Sequence, residues 1–395
     1  MSKNPLHIMW ISHFPVEWLD PCPPDLAGMP KGHPTTWQRV LWGELREDAR
    51  YRFHMVTLNK QAPRNLSWTD GNTTFYVLKT RGGLRAPSYF WYDTWLIRRL
   101  VHRVRPDLVH AWGAERGAGL VASRLDVPYL VTVQGLMSWY VQAIPSGMHH
   151  RLAAFVERQV FGRAPLVTTE SRFACDFIRR IAPALRIEQI EHAPAWLFHR
   201  LPRRPMIDPA RFLYVGTLDQ RKGLDTLLHA LDRMNLARPW ELAVTGSPEH
   251  PYAQALKLEI SSATWNRIRF LGNLTASAVA EEFSRALMLI FPTRADTSPN
   301  AVKEAAVAGV PVIGTHVGGI PDYITDGKNG LLVEPGDPDS LAHAIRAALD
   351  HPRFSQGEVD EENLVHVRDY LSPRTMATRF SALYDEYAQA SVRPV

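Results

Sequence analysis

Cysteine is nearly absent from this sequence. Cys22 and Cys175 are its only two, far apart and in no ligand-like spacing, which speaks against a disulfide framework and a cysteine zinc site. That composition suits a reducing cytosol. No apolar run approaches the roughly 18 residues of a membrane span. Met1-Ser2-Lys3-Asn4-Pro5 leads straight into a strand-like run, too short and wrongly flanked for a signal peptide. No Gly-x-Gly-x-x-Gly follows that run, which disfavours a nicotinamide-dependent dehydrogenase. His149-His150 and the pair His192 and His199 lack an acidic or cysteine partner at ligand spacing, so no metal site is expected.

What is present is an ordinary globular mixture, 45% hydrophobic and 22% charged over 395 residues, unlike a collagen-like or disordered chain. At roughly 100–200 residues per domain, this length calls for two domains, each able to build a core. The net charge of +5 is unevenly spread. Residues 1–200 hold 25 Lys and Arg against 16 Asp and Glu, whereas the remainder hold 20 against 24. Ten of the twelve Trp also fall in the first 200. A basic, aromatic first half suits an anionic surface or a bulky partner, and the mildly acidic second half suits a separate task.

Both halves alternate strand-like apolar runs with helical periodicity, the pattern of parallel sheets wrapped by helices. Residues 6–11, 53–58, 74–78, 108–111, 129–133 and 166–169 read as strands in the first half. Residues 211–215, 241–244, 268–270, 288–291, 311–313 and 330–333 do so in the second, with helical patterns such as 224–231, 278–286 and 341–349 between them. A proline-rich stretch at 201–209 reads as a linker, which divides the chain into domains at 1–200 and 201–372. From 373 to the end, Met376, Phe380, Leu383, Tyr384 and Tyr387 share one face of an amphipathic helix opened by Ser372-Pro373. That face needs a surface to cover, and the helix can cross back to the first domain.

The most informative segment runs from Phe291 to Thr315. A strand ends near Phe291, a polar loop follows, Ser298 caps a helix with Pro299 at its first position, and Gly309 ends it. The start Ser298-Pro299-Asn300-Ala301 aims unpaired backbone N–H groups at the carboxyl edge of the sheet, a favourable place for a diphosphate. Asp296 and Glu304 flank this start with seven residues between them. A carboxylate accepts hydrogen bonds from two neighbouring hydroxyls, so the pair suits a sugar ring and a ribose. Two further motifs accompany the segment: Gly216-Thr217-Leu218-Asp219-Gln220-Arg221-Lys222-Gly223 before it, and Gly318-Gly319-Ile320-Pro321-Asp322 after it.

In this order and spacing the motifs resemble the C-terminal domain of family 4 glycosyltransferases, with continuity from about residue 212 to 348. In the first half the likeness is looser. Gly32-His33-Pro34-Thr35 stands where the family has a glycine-rich loop, and His110 to Gly113 and Gln134-Gly135 stand at its characteristic strand ends. The resemblance implies an α/β GT-B fold, two Rossmann-like domains facing each other across a cleft. It also implies a retaining enzyme that moves a hexose-type sugar from a nucleotide diphosphate sugar without metal or further cofactor. Glu304 then holds the ribose, Asp296 the donor-sugar hydroxyls, and Lys222 the diphosphate. Thr217 replaces the family's arginine, so Arg221 stands in for that charge, and Gly32, Gly216 and the residues from Ser298 to Ala301 complete the donor site. Base contacts fall to backbone near Gly246 and 271–273.

The sequence departs from the family at two chemically important places. Asp296 is one methylene shorter than the usual Glu. Gln134 replaces a His near the donor sugar; its amide can bond a hydroxyl but cannot take a proton. His110 is one stand-in, and the other reading of it is a strand-end His held by its surroundings. The segment 79–107 joins seven basic residues to Tyr89, Phe90, Trp91, Tyr92 and Trp95. It reads either as a lip for an anionic membrane or a lipid-linked acceptor, or as a solvated helix whose aromatics belong to the core. No RNA-binding motif accompanies the charge. The expected partners are therefore a nucleotide-sugar donor and a saccharide or lipid-linked acceptor, with an anionic membrane on the cytoplasmic side added only under the first of these two readings. The rival from another class is a non-catalytic nucleotide-sugar binder of the same fold.

Overall fold

The computed structural model describes residues 4–26, 28–31, 35–234, 236 and 238–390. The chain forms two compact units, one of Met1–Glu170, Ala174–Ala193 and Pro373–Val395, the other of Ser171–Phe173 and Pro194–Ser372. The passage that opens the long segment of the second unit falls at Ala193 and Pro194, ahead of the proline-rich stretch expected to be the linker. That stretch is instead pinned inside the second unit. The Arg204 amide donates to the Ser284 carbonyl at 2.8 Å and the Met206 amide to the Arg285 carbonyl at 2.9 Å. The Arg203 guanidinium donates to the carbonyls of Ala286 and Gly357, each at 2.9 Å. Its prolines mark an extended, docked segment.

The first unit holds strands β1 (Leu6–Ser12), β2 (Tyr51–Asn59), β3 (Leu66–Asp70), β4 (Thr73–Lys79), β5 (Leu108–Trp112), β6 (Tyr129–Thr132), β7 (Leu166–Thr169) and β8 (Arg186–Gln189). Their order in the sheet is β3-β4-β2-β1-β5-β6-β7-β8, parallel except for the pair β3 and β4. The second unit holds β9 (Ala210–Tyr214), β10 (Trp240–Val244), β11 (Ile268–Phe270), β12 (Met288–Phe291), β13 (Val312–Thr315) and β14 (Gly330–Val333). Its order is β11-β10-β9-β12-β13-β14, parallel throughout. Central strands such as β5, β9 and β12 are buried along their whole length, which is why they read as continuous apolar runs. The two strands that the sequence patterns did not reveal, β3 and β8, are sheet edges with polar, partly exposed faces and so carry no such run.

The final helix, Pro373–Ala390, belongs to the core of the first unit. Met376, Phe380, Leu383 and Tyr384 are buried there with Trp10, Tyr51 and Trp112. Tyr384 is also the end of a buried polar chain. Its hydroxyl lies 2.8 Å from His110 Nδ1, His110 Nε2 lies 2.6 Å from Thr132 Oγ1, and that oxygen lies 2.6 Å from Thr168 Oγ1. The chain ties the helix to β5, β6 and β7. Burial holds the imidazole well below its ordinary pKa, so His110 is neutral and sealed, a structural residue. The reading of His110 as a stand-in for the missing His is thereby corrected.

Phe380 is fully buried with its ring against His110 and Trp112. Phe380→Ala should destabilise the first unit by about 3–5 kcal/mol through lost burial and the cavity left behind. Calorimetry checks this, and an unchanged first-unit transition would mean that the helix contributes nothing to that core.

Candidate active site

In the second unit the chain builds β9, β10 and β11 outward on one side, then returns to add β12, β13 and β14 on the other. The loops leaving adjacent β9 and β12 therefore diverge at the carboxyl edge, the place where doubly wound sheets bind ligands. The loop after β9 carries Gly216 to Gly223, and the loop after β12 carries Pro292 to Pro299. These are the two motifs singled out from the sequence.

The loops are joined by charge. Lys222 Nζ lies 2.5 Å from Asp296 Oδ2, with both side chains largely buried. The same carboxylate oxygen is 3.7 Å from Arg221 Nη1, which donates to the Ala295 carbonyl at 2.9 Å. The Lys222 ammonium also sits 5.0 Å from the centre of the Phe291 ring. Asp219 fixes this turn by accepting from the Lys222 amide at 3.0 Å and from the Thr217 hydroxyl at 2.6 Å. Thr217 thus holds the turn that presents Lys222, and the cations facing Asp296 are Lys222 and Arg221.

Backbone proximity makes the geometry stiff. Gly223 has φ +76°, and a Cβ there would stand 2.0 Å from the Pro292 carbonyl oxygen. Gly318 has φ +56°, and its Cβ would stand 1.8 Å from the Asp296 carbonyl oxygen. No side chain fits at either position, so glycines grip the Asp296 loop from two directions. Arg294 adds a latch that the sequence reading missed. Its guanidinium donates to Asp225 through two nitrogens at 2.8 and 2.7 Å, to Thr226 Oγ1 at 2.9 Å and to the Gln220 carbonyl at 2.6 Å. Its only sequence signal was its place inside the motif.

The helix after the loop is Asn300–Ala308, and its cap differs from the expected one. Pro299, in extended conformation, is the N-cap, and Gly309 ends the helix in the left-handed region. The Ser298 hydroxyl does not cap; it pairs with the Tyr323 hydroxyl at 2.8 Å. A proline N-cap offers no side-chain acceptor, so the first-turn amides of Asn300 and Ala301 have no partner among the described residues. Glu304 lies one turn along. It is half-buried and, among the described residues, has neither a hydrogen-bond nor an ion-pair partner. Burial pushes its carboxyl up to about 8, an effect only partly offset by neighbouring Lys303. The two carboxyls of the motif thus differ sharply: Asp296 is clamped by cations, and Glu304 is unsatisfied.

Gln134 follows β6 in the first unit, where its amide nitrogen is buried without a partner. Gly32 lies outside the described residues. In the second unit, Gly216 donates to Thr245 Oγ1 at 3.0 Å, while Gly246 and Gly272 exchange backbone hydrogen bonds at 2.9 Å. These contacts set the far rim of the same carboxyl edge.

Comparison with known proteins agrees with this geometry. A family model described as "Glycosyl transferases group 1" matches residues 209–351, and one described as "Glycosyl transferase 4-like domain" matches residues 37–196. Glycogen synthase from Mycobacterium tuberculosis (strain CDC 1551 / Oshkosh) is 29% identical over 266 residues, 64% of this chain and 62% of that protein. The chain thus spans less than two thirds of the length of the curated relative. Among solved structures, sucrose-phosphate synthase from Thermosynechococcus elongatus superposes with a TM-score of 0.78 at 19% identity, covering 98% of this chain and 100% of that one. HepE from Anabaena, solved in complex with UDP-glucose, gives 0.67 at 14% identity over 96% and 100%. Parallel sheets with Rossmann-like order in both units, two matching models in sequence and the superposed neighbours lead to one conclusion: this chain belongs to the family 4 glycosyltransferases, with the GT-B fold.

Proposed function

We propose that this protein transfers a hexose-type sugar from a nucleotide diphosphate sugar to a saccharide or lipid-linked acceptor, with retention at the anomeric carbon, on the cytoplasmic side of the membrane. The observation that carries the reading is the meeting of Lys222 with Asp296 beside an open helix start and an unpartnered Glu304. Each part answers to one part of such a donor. The amides of Asn300 and Ala301, at the positive end of a helix, suit a diphosphate. Glu304 suits the vicinal hydroxyls of a ribose. The UDP-glucose bound to HepE and the sugar-polymer synthase among the relatives support the donor class.

In this reading, donor binding exchanges ion-pair partners. Lys222 turns from Asp296 to the diphosphate, and Asp296 is released to accept from hydroxyls of the transferred sugar. As the glycosidic bond breaks, negative charge grows on the leaving phosphate, and Lys222 and Arg221 stabilise it, the task a divalent ion performs elsewhere. Neither Gln134 nor the sealed His110 can receive a proton. In this reading the leaving phosphate oxygen takes the acceptor's proton on the same face of the sugar, the course that the family resemblance implies for retention.

Glu304 gives this reading a pH signature. In the free protein its carboxyl ionises only near pH 8. Ribose hydroxyls donate to the ionised form and lower its pKa, so binding releases a proton at neutral pH. Donor affinity should rise as pH climbs toward 8 and level off above it. The test is calorimetric titration with UDP, GDP, ADP and CDP in buffers of different ionisation enthalpy. Glu304→Gln should abolish the proton release and weaken binding by about 10-fold or more. Unchanged affinity and proton release in that variant would remove Glu304 from the site. Tight binding with no nucleoside diphosphate formed from the sugar nucleotide against any acceptor would identify a binder instead of an enzyme.

The basic aromatic segment divides between its two readings. Phe90 is buried, whereas Trp91 and Trp95 are 55% and 50% exposed on one face of the helix Trp91–Val104. Met148, Leu152 and Phe155 are exposed on the helix Met148–Phe161, which meets the first segment through Tyr89 and Phe155. Arg99 and Arg124 lie over the rings of Trp95 and Trp91. No helix of the described residues is long and apolar enough to cross a membrane. A rim of arginine around exposed Trp suits the surface of an anionic bilayer, where a lipid-linked acceptor is held. The protein should sediment with vesicles containing phosphatidylglycerol and much less with pure phosphatidylcholine. Trp91→Ser with Trp95→Ser should abolish the difference, and equal binding to both vesicle types would refute the contact.

A further inference from the structure

The sheet of the first unit has its own switch point, between β1 and β5, and a cavity of about 180 Å³ opens there. Among its lining residues, Gln38, Trp112, Glu115 and Gln134 carry buried polar atoms without a hydrogen-bond partner. Two are acceptors, Gln38 Oε1 and Glu115 Oε2, and two are donors, Trp112 Nε1 and Gln134 Nε2. Gln38 and Trp112 are only 1% and 2% exposed, so bulk solvent hardly reaches them. Natural proteins seldom leave such groups unmet, so a polar molecule, water or a ligand, is called for here.

The balance of the four selects the ligand. A hydroxyl both donates and accepts, so neighbouring hydroxyls on a sugar ring can answer two donors and two acceptors together. Trp37, only partly buried, also lines the cavity and adds an indole of the kind a pyranose packs against. A phosphate offers mainly acceptors and brings charge into a site where burial already pushes the Glu115 carboxyl up, so it would answer the Gln38 oxygen poorly. The cations nearby do not change this. Arg116 Nε lies 3.8 Å from Glu115 Oε1, a charge already opposed. His13 is held down to about 3 by burial and by Arg116 and Arg85, so its ring is neutral at physiological pH.

We propose that this cavity receives the acceptor as a neutral saccharide, its ring hydroxyls read by Gln38, Glu115, Trp112 and Gln134, and that it discriminates against phosphorylated sugars. The proposal rests on the glycosyltransferase reading and adds the acceptor's class to it. The direct test is saturation-transfer NMR on the full chain with methyl α-glucopyranoside, methyl α-mannopyranoside and methyl β-galactopyranoside. Glucose 6-phosphate and inorganic phosphate serve as competitors, and nucleoside diphosphate binding is titrated on the same sample. At least one neutral glycoside should receive saturation and keep it when the phosphates are added. Gln38→Leu should weaken that glycoside about 10-fold or more while nucleotide affinity stays within about twofold. Glu115→Gln, which keeps the shape and removes the charge, should admit glucose 6-phosphate better than the natural protein does. The proposal is overturned if no neutral glycoside binds, if glucose 6-phosphate binds the natural protein more tightly, or if Gln38→Leu changes nothing. Glycoside binding without nucleotide binding would instead fault the donor reading and leave the cavity's assignment standing.

Discussion

The ion pair of Lys222 with Asp296 is the interaction on which the rest of the second unit's site depends. It takes two charges largely out of water, a poor way to gain stability, because desolvation consumes most of the attraction. Much of the local structure nonetheless serves it. Asp219 turns the chain so that Lys222 faces inward, Arg294 binds the two loops together, and two glycines allow the Asp296 loop to lie against its neighbours at backbone contact distance. On the proposed reading, a costly pair held this firmly is one that exchanges a partner for an anion.

The position of that pair follows from topology. In both units the chain adds strands first on one side of a founding strand and then on the other, and the loops at the reversal part to leave a crevice at the carboxyl edge. In the second unit the crevice gathers cations, an open helix start and a carboxyl that burial has pushed toward neutrality. In the first it gathers amides, a carboxylate and two indoles around a cavity. The same architecture thus presents contrasting chemistry, cations beside an open helix start in one unit and amides, a carboxyl and indoles in the other.

Much of this was legible in the sequence because the relevant residues are local. The central strands are continuous apolar runs, and the segment from Phe291 to Gly309 spells out strand, loop, helix and stop. What was not legible depends on partners distant in sequence. Nothing in Ser298 says that its hydroxyl belongs to Tyr323 and not to the helix cap. Nothing near Arg203 says that a proline-rich stretch will be pinned to carbonyls about 80 residues later. His110 looked like a candidate acid–base group until Tyr384, from the other end of the chain, enclosed it. Gln38 and Glu115 carried no motif at all, and only the fold brings them to one cavity.

The most direct measurement of the central claim is a crystal structure with the nucleoside diphosphate that binds best. The account predicts Lys222 Nζ withdrawn from Asp296 and within about 3 Å of a diphosphate oxygen, with ribose hydroxyls on Glu304. A nucleotide bound elsewhere, with the Lys222 and Asp296 pair still closed and Glu304 still without a partner, would contradict it.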